Sequence, residues 1–118
     1  MTQVLVVDDV AAMAEQYAYD LKRVGKFDTL VAAGGEEALD MLAREPIDCV
    51  VLDLEMPGTD GFEVARRLTA DRTLRRHPRI IAITGHSGED YRSRSLAAGC
   101  EQHLVKPVDS ETLLRLLE

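Results

Sequence analysis

Two adjacent carboxylates follow a run of aliphatic residues near the start of the chain. The stretch VLVVDDV places Asp8 and Asp9 directly after four such residues, and the stretch CVVLDL carries Asp53. Crowded carboxylates repel one another unless a cation lies among them. Oxygen-only ligands of this kind suit Mg²⁺, which commonly binds through carboxylates together with phosphate and water. The three aspartates therefore predict a magnesium site.

A hydroxyl and an ammonium group stand at the ends of two further apolar runs. Thr84 ends the stretch RIIAIT, and Lys106 follows the stretch QHLV. Positive charge from a lysine and a metal ion, with a hydrogen bond from a threonine, is what a phosphoryl group needs during transfer. A carboxylate can itself be the nucleophile, and the product is then an aspartyl-phosphate. Asp53 is the best placed of the three, because it ends the central strand of the predicted sheet.

Five apolar runs alternate with five amphipathic segments along the chain. The predicted strands cover residues 3–7, 27–32, 49–54, 79–84 and 102–105. The first predicted helix ends near Gly25 and carries the apolar stripe Val10, Met13, Tyr17, Leu21 and Val24. The last predicted helix begins with Ser110 as its cap. Continuously apolar strands between amphipathic helices indicate a parallel sheet covered on both faces. In such sheets ligands bind outside the carboxyl ends of the strands, where all five polar residues lie.

Length and charge limit the class of protein. A chain of 118 residues is of ordinary size for one domain, and its net charge of −7 argues against a direct nucleic-acid partner. No apolar run approaches the ~20 residues that cross a bilayer, and the first residues show no secretion signal. We therefore expect a cytoplasmic protein with no direct membrane contact. Cys49 and Cys100 lack metal or disulfide spacing, and we expect both to be buried apolar residues.

Four stretches of the sequence together resemble the response-regulator receiver domain of the chemotaxis-regulator type. They are VVDDV, VVLDLEMPGTDGFE, IIAITG and HLVKPVD. The resemblance covers essentially the whole chain and implies one receiver (phosphoacceptor) domain over residues 1–118. It also implies a flavodoxin-like, doubly wound α/β sandwich of three layers, whose five parallel strands lie in the order 2-1-3-4-5. The implied function is that of a phosphoacceptor in a two-component phosphorelay, a protein that is not an enzyme but assists its own phosphorylation and dephosphorylation.

The same resemblance assigns roles to individual residues. It implies that Asp53 accepts phosphate from the phosphohistidine of a sensor or hybrid histidine kinase, or of a histidine phosphotransfer domain. Asp9 would bind Mg²⁺ directly, Asp8 mainly through water, and Asp53 and the backbone carbonyl of Glu55 would complete the protein ligands. Lys106 would contact the phosphoryl group and precede a cis peptide bond to Pro107.

Three positions concern switching and the lifetime of the phosphoryl group. In domains of this type phosphate draws a threonine inward, here Thr84, and an aromatic residue three positions before the lysine follows it. That position holds His103, and an immobile strand histidine is as good an interpretation of it as a working switch. Glu55 and His86 lie two residues beyond Asp53 and Thr84, where the family's side chains flank the phosphoryl group. We hypothesise that these two residues set the rate of dephosphorylation.

Other interpretations of the same residues remain open. A magnesium-dependent phosphohydrolase usually needs a second aspartate two positions after the first, where this chain has Val10. A flavin carrier would need a phosphate-binding loop, and Asp8 and Asp9 would repel its anion. A receiver-like interaction module that is never phosphorylated is the more serious alternative. The family resemblance further implies an output partner at the face of the fourth helix, fifth strand and fifth helix, in either a stand-alone regulator or a segment of a hybrid kinase.

Overall fold

The computed structural model describes residues 2–74 and 77–118. Strands and helices alternate along the chain in the order β1 (Gln3–Val7), α1 (Ala11–Arg23), β2 (Asp28–Ala32), α2 (Gly35–Arg44), β3 (Cys49–Asp53), α3 (Gly61–Ala70), β4 (Arg79–Thr84), α4 (Glu89–Ala97), β5 (Gln102–Val105) and α5 (Ser110–Leu117). The strands form one parallel sheet in the order β2-β1-β3-β4-β5. The predicted doubly wound fold and its strand order are therefore confirmed.

The alternation of side chains along the strands builds one apolar cluster on each face of the sheet. On one face the strand residues pack against α1 and α5, with Tyr17, Leu21 and Leu113 among the buried contacts. On the other face they pack against α2 and α3, through residues such as Leu42 and Leu68. Burial on both faces explains why the central strands β1, β3 and β4 carry consecutive rather than alternating apolar residues. These two clusters hold the carboxyl ends of the strands at a fixed edge.

The two cysteines lie in different clusters. Cys49 is buried on the side of α1 and α5, and Cys100 is buried on the side of α2 and α3. Both are free thiols, as expected from their spacing. Burial raises the pKa of both thiols, that of Cys100 to about 11. Each thiol therefore packs as a small apolar group.

Helix ends differ from the sequence prediction in three details. Val10 and Val24 flank α1 and are 48% and 61% exposed, so the apolar stripe of this helix ends sooner than predicted. The cap of α5 is Asp109, whose carboxylate accepts a hydrogen bond from the Thr112 N–H, so the prediction of Ser110 was wrong. Ser110 instead donates its hydroxyl to Asp20 on α1. Aspartate and serine are equally good caps, and only the packing of α5 against α1 distinguishes them.

Close packing leaves little room for a side chain at two glycines. A Cβ at Gly61 would lie 2.5 Å from the carbonyl oxygen of Asp53, so α3 begins directly against the end of β3. A Cβ at Gly25 would collide with Leu114 of α5 and the ring of Phe27. The left-handed residue after α1 is Lys26, with φ of 60°, rather than the glycine. Gly25 therefore serves the approach of α5 to the end of α1.

Candidate functional site

Three carboxylates meet at the carboxyl edge of the sheet. Asp8 and Asp9 directly follow β1, Asp53 ends β3, and oxygens from all three lie within 4.8 Å of one another. Asp8 and Asp53 are buried, whereas Asp9 is exposed. The predicted grouping of acidic residues is thus present, and Asp9 is its solvent-exposed member.

Backbone hydrogen bonds fix the two buried carboxylates. Oδ1 of Asp8 accepts from the Val10 N–H at 2.9 Å, and Oδ1 of Asp53 accepts from the Glu55 N–H at 3.2 Å. Each is a bond from a residue two positions ahead, the short turn that aspartate favours. One oxygen of each carboxylate is therefore held by its own turn.

Lys106 brings a positive charge to these carboxylates. Its Nζ lies 3.7 Å from Oδ2 of Asp8 and 3.5 Å from Oδ1 of Asp53. Its backbone N–H donates to the carbonyl oxygen of Thr84 at 2.7 Å, which continues the pairing of β5 with β4 to this residue. The peptide bond from Lys106 to Pro107 is cis, as predicted.

The electrostatics of the cluster are those of an incompletely neutralised site. Burial, together with the charge of Asp8, raises the pKa of Asp53 to about 6, and Lys106 acts in the opposite direction. Although burial works against its charge, the carboxylates of Asp53 and Asp8 raise the pKa of Lys106. One ammonium therefore does not balance three carboxylates. A divalent cation among them would relieve the remaining repulsion.

A second group of polar atoms lies on the neighbouring strand. The hydroxyl of Thr84, a buried residue at the end of β4, donates to Oε2 of Glu55 at 2.6 Å. The Gly85 N–H donates to Oε1 of the same carboxylate at 2.7 Å. The His86 N–H donates to the Thr84 hydroxyl oxygen at 3.0 Å. The side chain of Glu55 is therefore bound to the loop that follows β4.

His103 lies under α4 and pairs with a serine. Its Nδ1 is 2.9 Å from the hydroxyl oxygen of Ser95, and that hydroxyl donates to the carbonyl oxygen of Arg92 at 2.9 Å. When the serine donates its proton to Arg92, His103 donates to the serine oxygen from Nδ1. Its Nε2 is the one buried side-chain N or O in the described ranges 2–74 and 77–118 that has no partner. Burial, together with Arg92, lowers the pKa of His103, so its neutral form is favoured.

The ring of His86 belongs to an aromatic stack on the surface. It lies 4.3 Å from the ring of Tyr91, and Tyr91 meets Phe62 edge-on at 5.4 Å. The guanidinium of Arg94 lies 4.0 Å from the centroid of Phe62. These contacts join the start of α4 to the start of α3. The ring of His86 is thus tied to α4.

The predicted site residues fall into four sets in the structure. Asp8, Asp9, Asp53 and Lys106 converge, while Thr84 and Glu55 form an adjoining pair. His103 lies apart from them under α4, and the ring of His86 lies in the surface stack with Tyr91. Ser95 was not predicted, although a serine between Tyr91 and Ala98 at helical spacing is a polar residue on an inward stripe. The contact of the Glu55 carboxylate with Thr84 was not predicted either, and the sequence carries no local signal for it.

None of the helices within residues 2–74 and 77–118 has the length and apolar character needed to cross a membrane.

Comparisons with known proteins give matches over nearly the whole chain. A family model described as the response regulator receiver domain matches residues 4–118. Response regulator PleD of Caulobacter vibrioides is 37% identical over 111 residues, which are 94% of this chain and 24% of that protein. Protein PilH of Pseudomonas aeruginosa is 32% identical over 117 residues, which are 99% of this chain and 95% of that protein. The chain thus spans about a quarter of the length of one relative and nearly all of the other.

Solved structures share the fold. A crystal structure of a response regulator protein from Burkholderia pseudomallei, with a phosphorylated aspartic acid, calcium ion and citrate, superposes with a TM-score of 0.88. It is 25% identical, and the match covers 100% of this chain and 67% of that one.

Proposed function

Because the chain belongs to the family of response-regulator receiver domains of two-component systems, we propose that Asp53 is its phosphoacceptor. The donor would be the phosphohistidine of a sensor or hybrid histidine kinase, or of a histidine phosphotransfer domain. The observation that carries the proposal is the position of Asp53, buried at the end of the central strand, with Asp8 and Asp9 on one side and the ammonium of Lys106 at 3.5 Å. The phosphorylated aspartic acid in the Burkholderia relative supports the same chemistry.

We propose that Mg²⁺ binds among the carboxylates. The donor set fits this ion, because Asp8, Asp9 and Asp53 offer oxygen ligands within 4.8 Å of one another and are not neutralised by Lys106 alone. The backbone carbonyl of Glu55 would be the remaining protein ligand. When bound, Mg²⁺ supplies positive charge for the phosphoryl oxygens. The calcium ion in the Burkholderia structure supports a divalent cation in this class of protein.

The transfer itself requires little from the protein besides position and charge. A lone pair on a carboxylate oxygen of Asp53 forms the new O–P bond while the P–N bond to the donor's imidazole breaks. The electron pair of the broken bond returns to the imidazole nitrogen. Lys106 stabilises the negative charge on the phosphoryl oxygens, and hydrolysis by water later restores the free carboxylate. The domain would thus assist its own phosphorylation and dephosphorylation without being an enzyme for a free substrate.

We propose that Thr84 and His103 transmit the modification to an output partner at the face of α4, β5 and α5. The supporting observations are that Thr84 lies on the strand next to Asp53 and that His103 contacts α4 through Ser95. Leu96 of α4 and Val105 of β5 are 42% and 39% exposed and would contribute apolar contact area. The partner is expected to be a protein, with no direct role for nucleic acid or membrane.

The lifetime of the phosphoryl group is proposed to depend on Glu55 and His86. Both are tied to the loop after β4, Glu55 through Gly85 and His86 through its own N–H to Thr84. Decay of the aspartyl-phosphate in Glu55→Ala and in His86→Ala tests this, and unchanged lifetimes in both would contradict it.

We propose further that residues 1–118 act as one receiver domain in the cytoplasm, where histidine kinases present their phosphohistidine. A stand-alone regulator and a receiver segment of a hybrid kinase both accommodate this domain.

Incubation with Mg²⁺ and acetyl phosphate tests the proposed function directly. We expect intact mass measurement to show one added phosphoryl group, lost in Asp53→Asn and strongly reduced without Mg²⁺. Lys106→Ala should slow the reaction by at least about tenfold, because a charge that stabilises the transferring group is removed. No adduct under any condition would favour the alternative, a receiver-like protein-interaction module that is not phosphorylated.

A further inference from the structure

The carboxylate of Glu55 occupies an anion-binding position beside the proposed phosphoacceptor. Both of its oxygens are bound, one by the Thr84 hydroxyl at 2.6 Å and the other by the Gly85 N–H at 2.7 Å. Hydrogen bonds to a charged acceptor are among the stronger ones in proteins. The side chain is half-buried, so solvent competes only in part for these donors.

The same donors lie next to Asp53. Thr84 and Gly85 follow Ile83, the residue that β4 aligns with Asp53 of β3. Glu55 is held from the other direction, because its N–H donates to the Asp53 carboxylate at 3.2 Å. One turn of chain therefore connects the phosphoacceptor to the carboxylate that binds the end of β4.

A phosphoryl group on Asp53 and the Glu55 carboxylate would compete for these donors. The Thr84 hydroxyl has a single proton to donate, and Glu55 already accepts it. The phosphoryl group would carry about −1.5 to −2 charges in place of the single charge of the Asp53 carboxylate, and would bring three strong acceptor oxygens next to Glu55. Two neighbouring anions in a partly buried site also repel each other. The Thr84 hydroxyl therefore cannot donate to Glu55 and to a phosphoryl oxygen at the same time.

We infer that Glu55 is an internal latch, an anion of the chain itself that holds Thr84 and Gly85 in the unmodified state and must leave when Asp53 is phosphorylated. This inference rests on the proposed phosphoacceptor function of Asp53 and adds a competitor to it. The latch favours the unmodified conformation, because the first contact of Thr84 with a phosphoryl oxygen requires the loss of a contact with Glu55. The latch uses the side chain of Glu55, whereas the proposed metal ligand is the backbone carbonyl of the same residue.

Titration with beryllium fluoride, a mimic of the phosphoryl group, in the presence of Mg²⁺ tests the latch. Binding is followed by the amide NMR signals of the unmodified and bound protein. We expect Glu55→Ala to bind the mimic about tenfold more tightly than the parent, because one charged hydrogen-bond acceptor no longer competes. Glu55→Gln keeps the shape without the charge and should lie between the two.

Two further variants separate the latch from general charge repulsion. Glu89→Ala removes an exposed carboxylate from the first residue of α4, directly after the same loop, and should change the affinity by less than about twofold. In a Thr84→Ala background the gain from Glu55→Ala should shrink, because the shared donor is absent. A gain of equal size in that background, or in Glu89→Ala, would overturn the latch.

A readout without any mimic distinguishes failure of the latch from failure of the proposed function. In the unmodified protein, Glu55→Ala should shift the Gly85 amide proton upfield and speed its exchange, because the charged acceptor is gone. An unaltered Gly85 signal would overturn the latch whatever the binding results. If neither parent nor variant binds the mimic while Gly85 responds as expected, the contact stands and the phosphoacceptor function fails. Equal affinities in parent and Glu55→Ala would refute the competition alone.

Discussion

The helices α4 and α5 are of similar length but are held to the sheet by different forces. α5 buries Leu113 and Leu117 in the apolar cluster it shares with α1, and the Asp109 side chain caps its first turn. Ser95 is the one buried residue among the nine of α4. Gly88, which precedes the helix, provides no side-chain cap. α5 is therefore held mainly by buried apolar area. Within the described part of the chain, the one fully buried contact of α4 itself is the hydrogen-bonding pair of Ser95 and His103, besides the partly buried contacts of Tyr91 and Arg94 with α3.

This difference indicates which of the two helices can move at low cost in free energy. Stabilisation by apolar burial scales with buried area and has no preferred direction. Any displacement of α5 therefore exposes Leu113 and Leu117 and costs free energy. α4 is attached by one buried polar pair, which contributes only while its geometry is kept, and by the partly exposed contacts of Tyr91 and Arg94 with Phe62. The proposed response to Thr84 would displace the more weakly held of the two helices, which is α4. Substitutions in α5, in α4 and at His103 test this contrast.

The largest effect is expected from Leu113→Ala in α5. The side chain is fully buried, so its truncation leaves a cavity and should lower the free energy of unfolding by about 2–5 kcal/mol. Chemical denaturation followed by circular dichroism measures this loss. Leu116→Ala, on the same helix and only partly buried, should cost less than half as much. Equal costs would mean that α5 is not anchored through Leu113.

A smaller and more local effect is expected from Ser95→Ala in α4. This variant leaves the Nδ1–H of His103 without an acceptor in a buried place and should cost about 1–3 kcal/mol. Native-state hydrogen exchange should show faster exchange in α4 than in α5. Ser93→Ala, at an exposed position of the same helix, serves as the control and should change neither quantity. A loss of protection spread evenly over both helices would contradict the contrast between them.

The smallest effect is a dependence of stability on pH through His103. Burial, reinforced by Arg92, lowers its folded-state pKa below the ordinary 6.5, while Glu55 and Glu89 act in the opposite direction. Between those two pKa values the unfolded chain binds more protons, so this contribution to stability is complete above pH 6.5 and is lost as the pH falls through the folded-state pKa. We expect the stability difference between the parent and His103→Phe to shift by up to about 1 kcal/mol across this range.

Denaturation of both proteins at several pH values checks this sign. Asp53, whose pKa is raised to about 6 by burial and then Asp8, has the opposite sign, since it lowers stability as the pH rises through that value. Asp53 is present in both proteins, so its contribution cancels in the difference between their free energies of unfolding. A difference that stays constant with pH would show that His103 does not titrate against the folded state.

The fold was predictable because its signals are redundant. Each strand has an apolar run and each is followed by a helical segment. An error of one residue in a strand boundary, as at Phe27 or Leu54, therefore leaves the topology unchanged. The convergence of Asp8, Asp53 and Lys106 follows from that topology, because parallel strands bring their carboxyl ends to one edge. The order of the strands came from the family resemblance.

Contacts between side chains far apart along the chain could not be predicted from the sequence. The bond from Thr84 to Glu55 joins residues 29 positions apart, and the bond from His103 to Ser95 depends on how α4 lies over β5. The prediction of Ser110 as the cap of α5 was wrong for a related reason. Asp109 and Ser110 satisfy the same local rule, and only tertiary packing distinguishes them.

The two buried cysteines can report local opening of the fold, because they lie on opposite sides of the sheet. Cys49 lies beneath the side anchored by α5, and Cys100 lies just after α4 on the opposite side of the sheet. A maleimide reacts with the thiolate, so each cysteine is modified only while its own surroundings are open. Faster labelling of Cys100 than of Cys49 would time the release of α4 without any engineered probe, and equal rates would mean that both sides open as one.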